Sequence, residues 1–115
     1  MSEIKNFDLG YLAESVGDSE DFYRMLSIFM ESTPKILTNL SQSFATNDLK
    51  GVADAAHKLK STIDILRITE LQSQIRMIDR LPHVIKNMEK LPQIISHVLD
   101  IMDQVLSEIR QEYLS

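Results

Sequence analysis

One stretch of the chain, DAAHKLKST at residues 54–62, places a histidine, a lysine and a serine at helical spacing. Lys60 follows His57 by three residues and Ser61 follows it by four, so both lie beside the imidazole on a helix surface. A neutral imidazole is a good nucleophile near pH 7, and a nearby cation stabilises the charge on a transferring phosphoryl group. These residue types suit phosphoryl transfer through a histidine. A chance histidine on a solvated helix face is the competing interpretation, and the chemistry alone does not decide between them.

The apolar residues around this stretch predict which way the imidazole points. Steps of three and four residues separate Leu49, Val52, Ala56, Leu59, Ile63 and Leu66. Such spacing is typical of a helix that packs in a bundle. At ~100° per residue, the centre of this apolar seam lies about 130° from His57. We therefore predict that His57 lies on the outer flank of the helix, with Lys60 between it and the seam and the small residues Ala53 and Ser61 on its own row.

Other site chemistries find little support in the chain. Cysteine is absent, which excludes disulfides and thiolate metal sites. No H-E-x-x-H motif, nucleophile elbow or glycine-rich phosphate loop occurs. His83 and His97 have no second ligand at metal-binding spacing, so we interpret both as solvated histidines and expect no metal site.

Composition predicts one soluble domain over residues 1–115, with 43% hydrophobic and 25% charged residues. The net charge of −5 disfavours nucleic acid as a partner, because phosphate contacts need a surplus of lysine and arginine. The first ten residues do not resemble a signal peptide. No apolar run approaches the ~20 residues that span a bilayer, so no membrane insertion is predicted. We expect a cytoplasmic monomer.

Three helices are predicted before the histidine stretch. The first runs from about Asp8 to Val16 and stops at Gly17, and Ser19 caps the second. The segment STPKIL is predicted to end or bend the second helix, with Thr33 as the N-cap of a third helix from Pro34 to about Ala45.

The remaining pattern predicts three more helices. Asn47 or Asp48 caps the histidine helix, which extends over about 48–66, and Thr69 caps the next. Pro82 is predicted to end or kink that helix, and Pro92 to lie in the first turn of the last one. The last helix has an inward stripe at Ile95, Val98, Met102, Val105 and Ile109. Amphipathic helices joined by short loops indicate an all-α antiparallel bundle.

The segment AAHKLKSTIDILRITEL resembles the signature of histidine-containing phosphotransfer (HPt) domains, a helix bearing H-x-[LIV]-K-G-[SA]. The resemblance extends over about residues 7–81. It includes a phenylalanine-rich second helix, a leucine-rich third helix and an ND turn before the histidine. The resemblance implies an antiparallel four-helix bundle with a short N-terminal capping helix over one end.

The resemblance also implies a function. HPt domains accept a phosphoryl group from the aspartate of one response-regulator receiver domain and pass it to another receiver. They have no kinase activity and no cofactor of their own, and the Mg²⁺ ion belongs to the receiver. The expected partners are receiver domains and a sensor or hybrid histidine kinase.

Matched to this family, His57 is the phosphoacceptor and Lys60 the motif lysine. Ser61 stands where glycine is usual. In many members an acidic residue or glutamine on the next helix hydrogen-bonds the histidine, and a count without gaps puts Asp79 there, within a turn. A salt-bridged surface carboxylate is the equal alternative for Asp79.

Four residues of the same helix and its exit are the predicted contacts for a partner: Lys58, Ser61, Asp64 and Arg67. Arg67 stands where a second glycine is common, so the helix exit differs from the family's or presents an extra cation. Between Asp48 and Arg67 there are four basic and three acidic residues in an otherwise acidic chain. A locally basic face complements the acidic active site of a receiver.

Two other functions fit the same residues. A pseudo-HPt adaptor would bind receivers or other proteins without phosphotransfer, and the departures at Ser61 and Arg67 leave this hypothesis open. A structural helical module of a larger protein, with a fortuitous histidine, is the third hypothesis.

Overall fold

The computed structural model describes residues 6–79 and 88–114, and every regular element in that part is helical. A short 3₁₀ turn, Met88–Lys90, precedes the last helix. The five α-helices are α1 (Gly10–Val16), α2 (Ser19–Ala45), α3 (Leu49–Ile65), α4 (Thr69–Asp79) and α5 (Leu91–Tyr113). The predicted all-α class is confirmed.

The long helices α2 to α5 form a four-helix bundle. Helix α3 packs against α2 and α4, and α5 packs against the same two helices from the other side. The apolar seam predicted for α3 faces the core, since Val52, Ala56, Leu59 and Ile63 are fully buried. The stripe predicted for α5 is buried as well, at Ile95, Val98, Met102, Val105 and Ile109. These two stripes hold the histidine helix in the bundle.

The N-terminal segment covers one end of the bundle, where α3 finishes. Phe7 and Leu9 are buried, and the Asp8 N–H donates to the Leu66 carbonyl oxygen at 2.9 Å. Helix α1 begins at Gly10 rather than at Asp8, because the Asp8 carboxylate accepts a hydrogen bond from the Gly10 N–H at 2.8 Å. Gly17 ends α1 as predicted, with a φ of 84° that favours glycine.

The prediction of two helices on either side of Pro34 is wrong, because α2 continues from Ser19 to Ala45 through the proline. Thr33 is not an N-cap: it is fully buried inside the helix. A proline in a helix interior costs ~3 kcal/mol or more. That cost is offset because one face of α2 is buried on both sides of the proline, at Leu26, Met30 and Leu40.

Two helix starts show how the turns fix the register of α2 and α3. Asp18, not Ser19 as predicted, is the N-cap of α2, and its side chain accepts from the Asp21 N–H at 2.8 Å. Asp48 is the N-cap of α3, as predicted, and accepts from the Gly51 N–H at 3.0 Å. Asn47 precedes it in a left-handed conformation with φ 59°, which lets α2 end and α3 begin within three residues.

The second half of the chain follows most of the remaining predictions where it is described. Pro92 lies in the first turn of α5 as predicted, whereas Thr69 is the first residue of α4 and not the residue that caps it. The predicted helix break at Pro82 and the solvated His83 lie outside the described residues. In the part that is described, none of the helices combines the length and the apolarity needed to cross a membrane.

Candidate functional site

His57 lies on the outer flank of α3. Its side chain is 70% exposed, whereas Ala56 and Leu59 beside it in the sequence are fully buried. This is the orientation that the apolar seam of the helix predicts. The imidazole is therefore anchored by a well-packed helix and remains accessible to another protein.

Asp79, the last residue of α4, contacts both His57 and Lys60. Its Oδ1 lies 3.1 Å from the His57 Nδ1, and its Oδ2 accepts a hydrogen bond from the Lys60 Nζ at 3.0 Å. Helices α3 and α4 run antiparallel after a three-residue connection, so the end of α4 returns to the middle of α3. One carboxylate thus bridges the imidazole and the ammonium group.

The charge state of Asp79 decides which imidazole nitrogen is protonated. The hydrogen bond from Lys60 lowers the pKa of the Asp79 carboxyl; partial burial opposes this, and the His57 hydrogen bond lowers the pKa further. The group is therefore an anion at neutral pH and can only accept hydrogen bonds. In the neutral imidazole, Nδ1 must then donate its proton to Asp79, which leaves the lone pair on Nε2.

Asp64 lies seven residues after His57, on the same row of α3, and pairs with Arg76 of α4. The Arg76 Nη2 donates to the Asp64 Oδ2 at 2.9 Å, and Nη1 donates to the Gln72 carbonyl oxygen at 3.0 Å. Sequence analysis missed Arg76. The signal that could have found Arg76 is the antiparallel pairing of α3 and α4. Asp64 and Arg76 each lie about one turn closer to the loop between these helices than Lys60 and Asp79 do.

Arg67 occupies the glycine-like position at the end of α3, with a positive φ of 53°. The exit keeps the hydrogen bonds of a Schellman motif: the Ile68 N–H donates to the Ile63 carbonyl at 2.9 Å, and the Arg67 N–H donates to the Asp64 carbonyl at 3.3 Å. The Arg67 guanidinium lies 4.7 Å from the ring centroid of Tyr11, a cation–π contact that sequence analysis missed. The helix exit is thus of the glycine type and also presents a cation.

The other predicted contact residues lie on different sides of His57. Ser61 is exposed one turn after His57, and its small side chain leaves this row of the helix surface open. Lys58 is exposed as well, but it lines a groove between α2 and α3 together with Asp54. The structure therefore brings His57, Lys60 and Asp79 into one cluster and places Asp64 and Arg67 further along α3.

A second histidine–carboxylate pair lies at the other end of α4. The Nε2 of His97 is 3.8 Å from the Glu70 Oε1, so His97 is not the purely solvated residue that its sequence context indicated. Among residues 6–79 and 88–114, no group of three or more histidine, cysteine or acidic side chains is arranged to hold a metal ion.

Comparison with family models identifies the bundle. The model of the Hpt domain matches residues 24–111, a range that begins within α2 and includes His57, Lys60 and Asp79. Comparisons with curated proteins and with solved structures give no match. The family match supports a phosphotransfer function in a phosphorelay, with receiver domains and histidine kinases as interacting proteins. Since the match spans most of the chain and the all-helical fold agrees with it, this protein belongs to the histidine-containing phosphotransfer domain family.

Proposed function

We propose that His57 accepts a phosphoryl group from the aspartate of one receiver domain and passes it to the aspartate of another. The observation that supports this most is the contact of a single carboxylate, Asp79, with both His57 and Lys60. That contact leaves the Nε2 lone pair available on a side chain that is largely exposed. His57 is therefore a nucleophile in the correct tautomer before any partner arrives.

The transfer step balances at named atoms. The Nε2 lone pair of His57 attacks the phosphorus of the receiver's aspartyl phosphate, the P–N bond forms, and the acyl P–O bond breaks. The receiver aspartate leaves as a carboxylate. The phosphorylated ring retains its Nδ1 proton and gains positive charge, which the Asp79 anion at 3.1 Å stabilises. Transfer to the second receiver reverses these steps. The phosphorylated imidazole must therefore be stabilised enough to form but not so much that it fails to pass the phosphoryl group on.

Lys60 supports the same step through its position. Its side chain is 32% exposed, and its Nζ is held 3.0 Å from the Asp79 Oδ2, one helical turn beyond His57. From there we expect the ammonium group to reach an oxygen of a phosphoryl group on Nε2 by rotation of its side chain. Lys60 would then stabilise charge that develops during transfer.

The partners follow from this chemistry. A receiver domain supplies the aspartyl phosphate together with its own Mg²⁺ ion, and this protein supplies the imidazole. Lys58 and Lys60, which lie on different sides of His57 on α3, complement in charge the acidic active site of a receiver. A histidine kinase would load the first receiver of the relay.

A panel of receiver domains, phosphorylated with a small-molecule phosphodonor, tests the proposal. Wild-type protein should gain acid-labile, alkali-stable phosphate, the stability expected of a phosphohistidine, and should return it to a second receiver. A protein that binds receivers without gaining phosphate would be a pseudo-HPt adaptor. A protein that neither binds nor accepts phosphate from any receiver would be a structural module, and both outcomes would contradict the proposal.

A further inference from the structure

The cation–π pair of Arg67 and Tyr11 is a feature of the surface that the transfer chemistry does not use. Arg67 adopts a left-handed backbone conformation at the end of α3, which disfavours every residue with a side chain relative to glycine. Tyr11 is 46% exposed although it is aromatic. Tyr11 also precedes the range 24–111 matched by the family model, so this pair lies partly outside the shared part of the domain.

Among the described residues Arg67 has no ion-pair partner, unlike the two other cations on this side of His57. Lys60 is paired with Asp79, and Arg76 is paired with Asp64. Arg67 forms no ion pair within residues 6–79 and 88–114, although Asp8 and Glu14 line the depression beside it. The Tyr11 ring holds one face of the guanidinium and leaves its N–H groups free to donate to another molecule.

The pair also lies within reach of a protein that docks on His57. Tyr11 and Arg67 line a shallow depression with Asp64, Gln72 and Arg76. Ten residues of α3 and its exit separate Arg67 from His57, a distance of about 15 Å along a helix. An interface of ordinary size buries ~800 Å² per partner, which corresponds to a patch roughly 30 Å across. An interface centred on His57 therefore has Arg67 at its rim.

We propose that Arg67, held by Tyr11, is a docking and specificity element for the receiver domain that exchanges phosphate with His57. This inference rests on the proposed function. The selected receiver has a carboxylate side chain at the rim of its own docking face, about 15 Å from its phosphorylated aspartate. Rim charges act mainly on the rate of association and on its dependence on salt. Receivers without that carboxylate associate more slowly.

The test measures association rates of receiver domains with the full chain by stopped-flow or surface methods, at low and high salt. The variant Arg67→Gly removes the guanidinium and inserts the residue that the left-handed position prefers, so loss of folding does not confuse the result. For the receiver that reacts fastest with wild type, we expect roughly fivefold slower association at low salt. The difference should vanish near 1 M salt, where screening acts over ~3 Å. Arg67→Lys should restore most of the rate.

Arg110→Ala is the matched control. Arg110 is exposed in the last turn of α5. It lies thirteen residues, or about 20 Å along the helix, beyond His97, which contacts the start of α4, whereas His57 contacts the end of α4. Its removal should leave association rates unchanged. Equal rates for wild type and Arg67→Gly with every receiver that phosphorylates His57 would overturn this inference and leave the proposed function intact. Arg67-dependent binding without phosphate on His57 would overturn the proposed function instead, and no binding of any receiver would overturn both.

Discussion

Helix α4 presents a carboxylate to a histidine at each of its ends, and the two pairs differ. At the C-terminal end, Asp79 lies 3.1 Å from the His57 Nδ1 and also accepts a hydrogen bond from Lys60. At the N-terminal end, Glu70 lies 3.8 Å from the His97 Nε2, beyond hydrogen-bond distance. The His57 side chain is 70% exposed and that of His97 38%. A nearby carboxylate is thus not sufficient for a nucleophile, because only the shorter contact fixes the tautomer. Among the described residues, a cation contacts the carboxylate beside His57, and none is found in contact with the one beside His97.

The residues one turn beyond the two imidazoles also differ in exposure. One turn beyond His57 is Ser61, which is exposed and small. One turn beyond His97 is Ile101, which is buried in the core. A second protein can therefore approach along the row of His57, whereas the row of His97 leads into the bundle.

Removing each imidazole in turn gives the largest expected contrast. His57→Gln should abolish phosphate acceptance, and because the ring is exposed, its loss should open no cavity and leave the free energy of unfolding nearly unchanged. His97→Gln should accept phosphate as wild type does. Phosphate incorporation from a phosphorylated receiver is the measurement. Full labelling of His57→Gln would assign the phosphate to another histidine and contradict the proposal.

Closing the open row should have the next largest effect. Ser61→Leu places a bulky side chain one turn beyond His57 and should block transfer by obstructing the receiver, while the exposed position leaves folding intact. Ser61→Gly is the matched control and should transfer within a modest factor of wild type, at a cost of about 0.5–1 kcal/mol in helix stability. Transfer rates from one phosphorylated receiver decide between them. Wild-type rates for Ser61→Leu would place the docking surface elsewhere.

Removing the cation should make the His57 site more like that of His97. Lys60→Ala should slow transfer at saturating receiver by about ten- to a hundredfold, because the ammonium group acts on charge that shifts during the reaction. Binding of the receiver should weaken much less. Single-turnover rates at matched saturation measure the first effect and titration the second. Equal rates at saturation would leave Lys60 with a role only in pairing Asp79.

Neutralising the carboxylate tests the bridge itself. Asp79→Asn keeps the size of the side chain and removes the anion that stabilises the charged ring, so transfer should slow by about tenfold, the scale of a charge-assisted hydrogen bond. Glu70→Gln makes the same change beside His97 and should leave the rate unchanged. Single-turnover transfer is again the measurement. An equal loss in both variants would mean that the effect comes from the net charge of the domain and not from the contact with His57.

The smallest predicted effect concerns stability against pH. The pKa of Asp79 is lower in the folded protein than its ordinary value, so the unfolded chain binds the proton more readily. The contribution of Asp79 is therefore fully present above about pH 4–5, the range just above the unfolded pKa, and is lost as the pH falls through the folded pKa. Relative to Asp79→Asn, wild type should be more stable by about 0.5–1 kcal/mol at pH 7, as for other partly exposed pairs.

Urea denaturation of both proteins over a pH series measures this contribution. The free energies of unfolding of wild type and Asp79→Asn should converge as the pH falls below about 4 toward the pKa of Asp79 in the folded protein. A difference that is constant with pH would show that Asp79 stabilises the fold without its charge.

The sequence by itself determined the features that depend on neighbours along one helix. The 3.6-residue period placed His57 on the outer flank of α3 and Lys60 beside it. Asp48 and Pro92 marked helix starts, because capping and the first turn involve only a few consecutive residues. The apolar stripes of α3 and α5 were assigned correctly for the same reason.

The tertiary structure alone decided what depends on segments distant in the chain. The continuation of α2 through Pro34 was missed, because local propensity does not include the burial of both flanks. The contact of Asp79 with His57 required the register of α4 on α3, which a count along the sequence gave only within a turn. Arg76 and Tyr11 had no local signal, since each acquires its partner across a helix interface. Local geometry orients a side chain toward or away from the core, and packing between helices selects the groups that it meets.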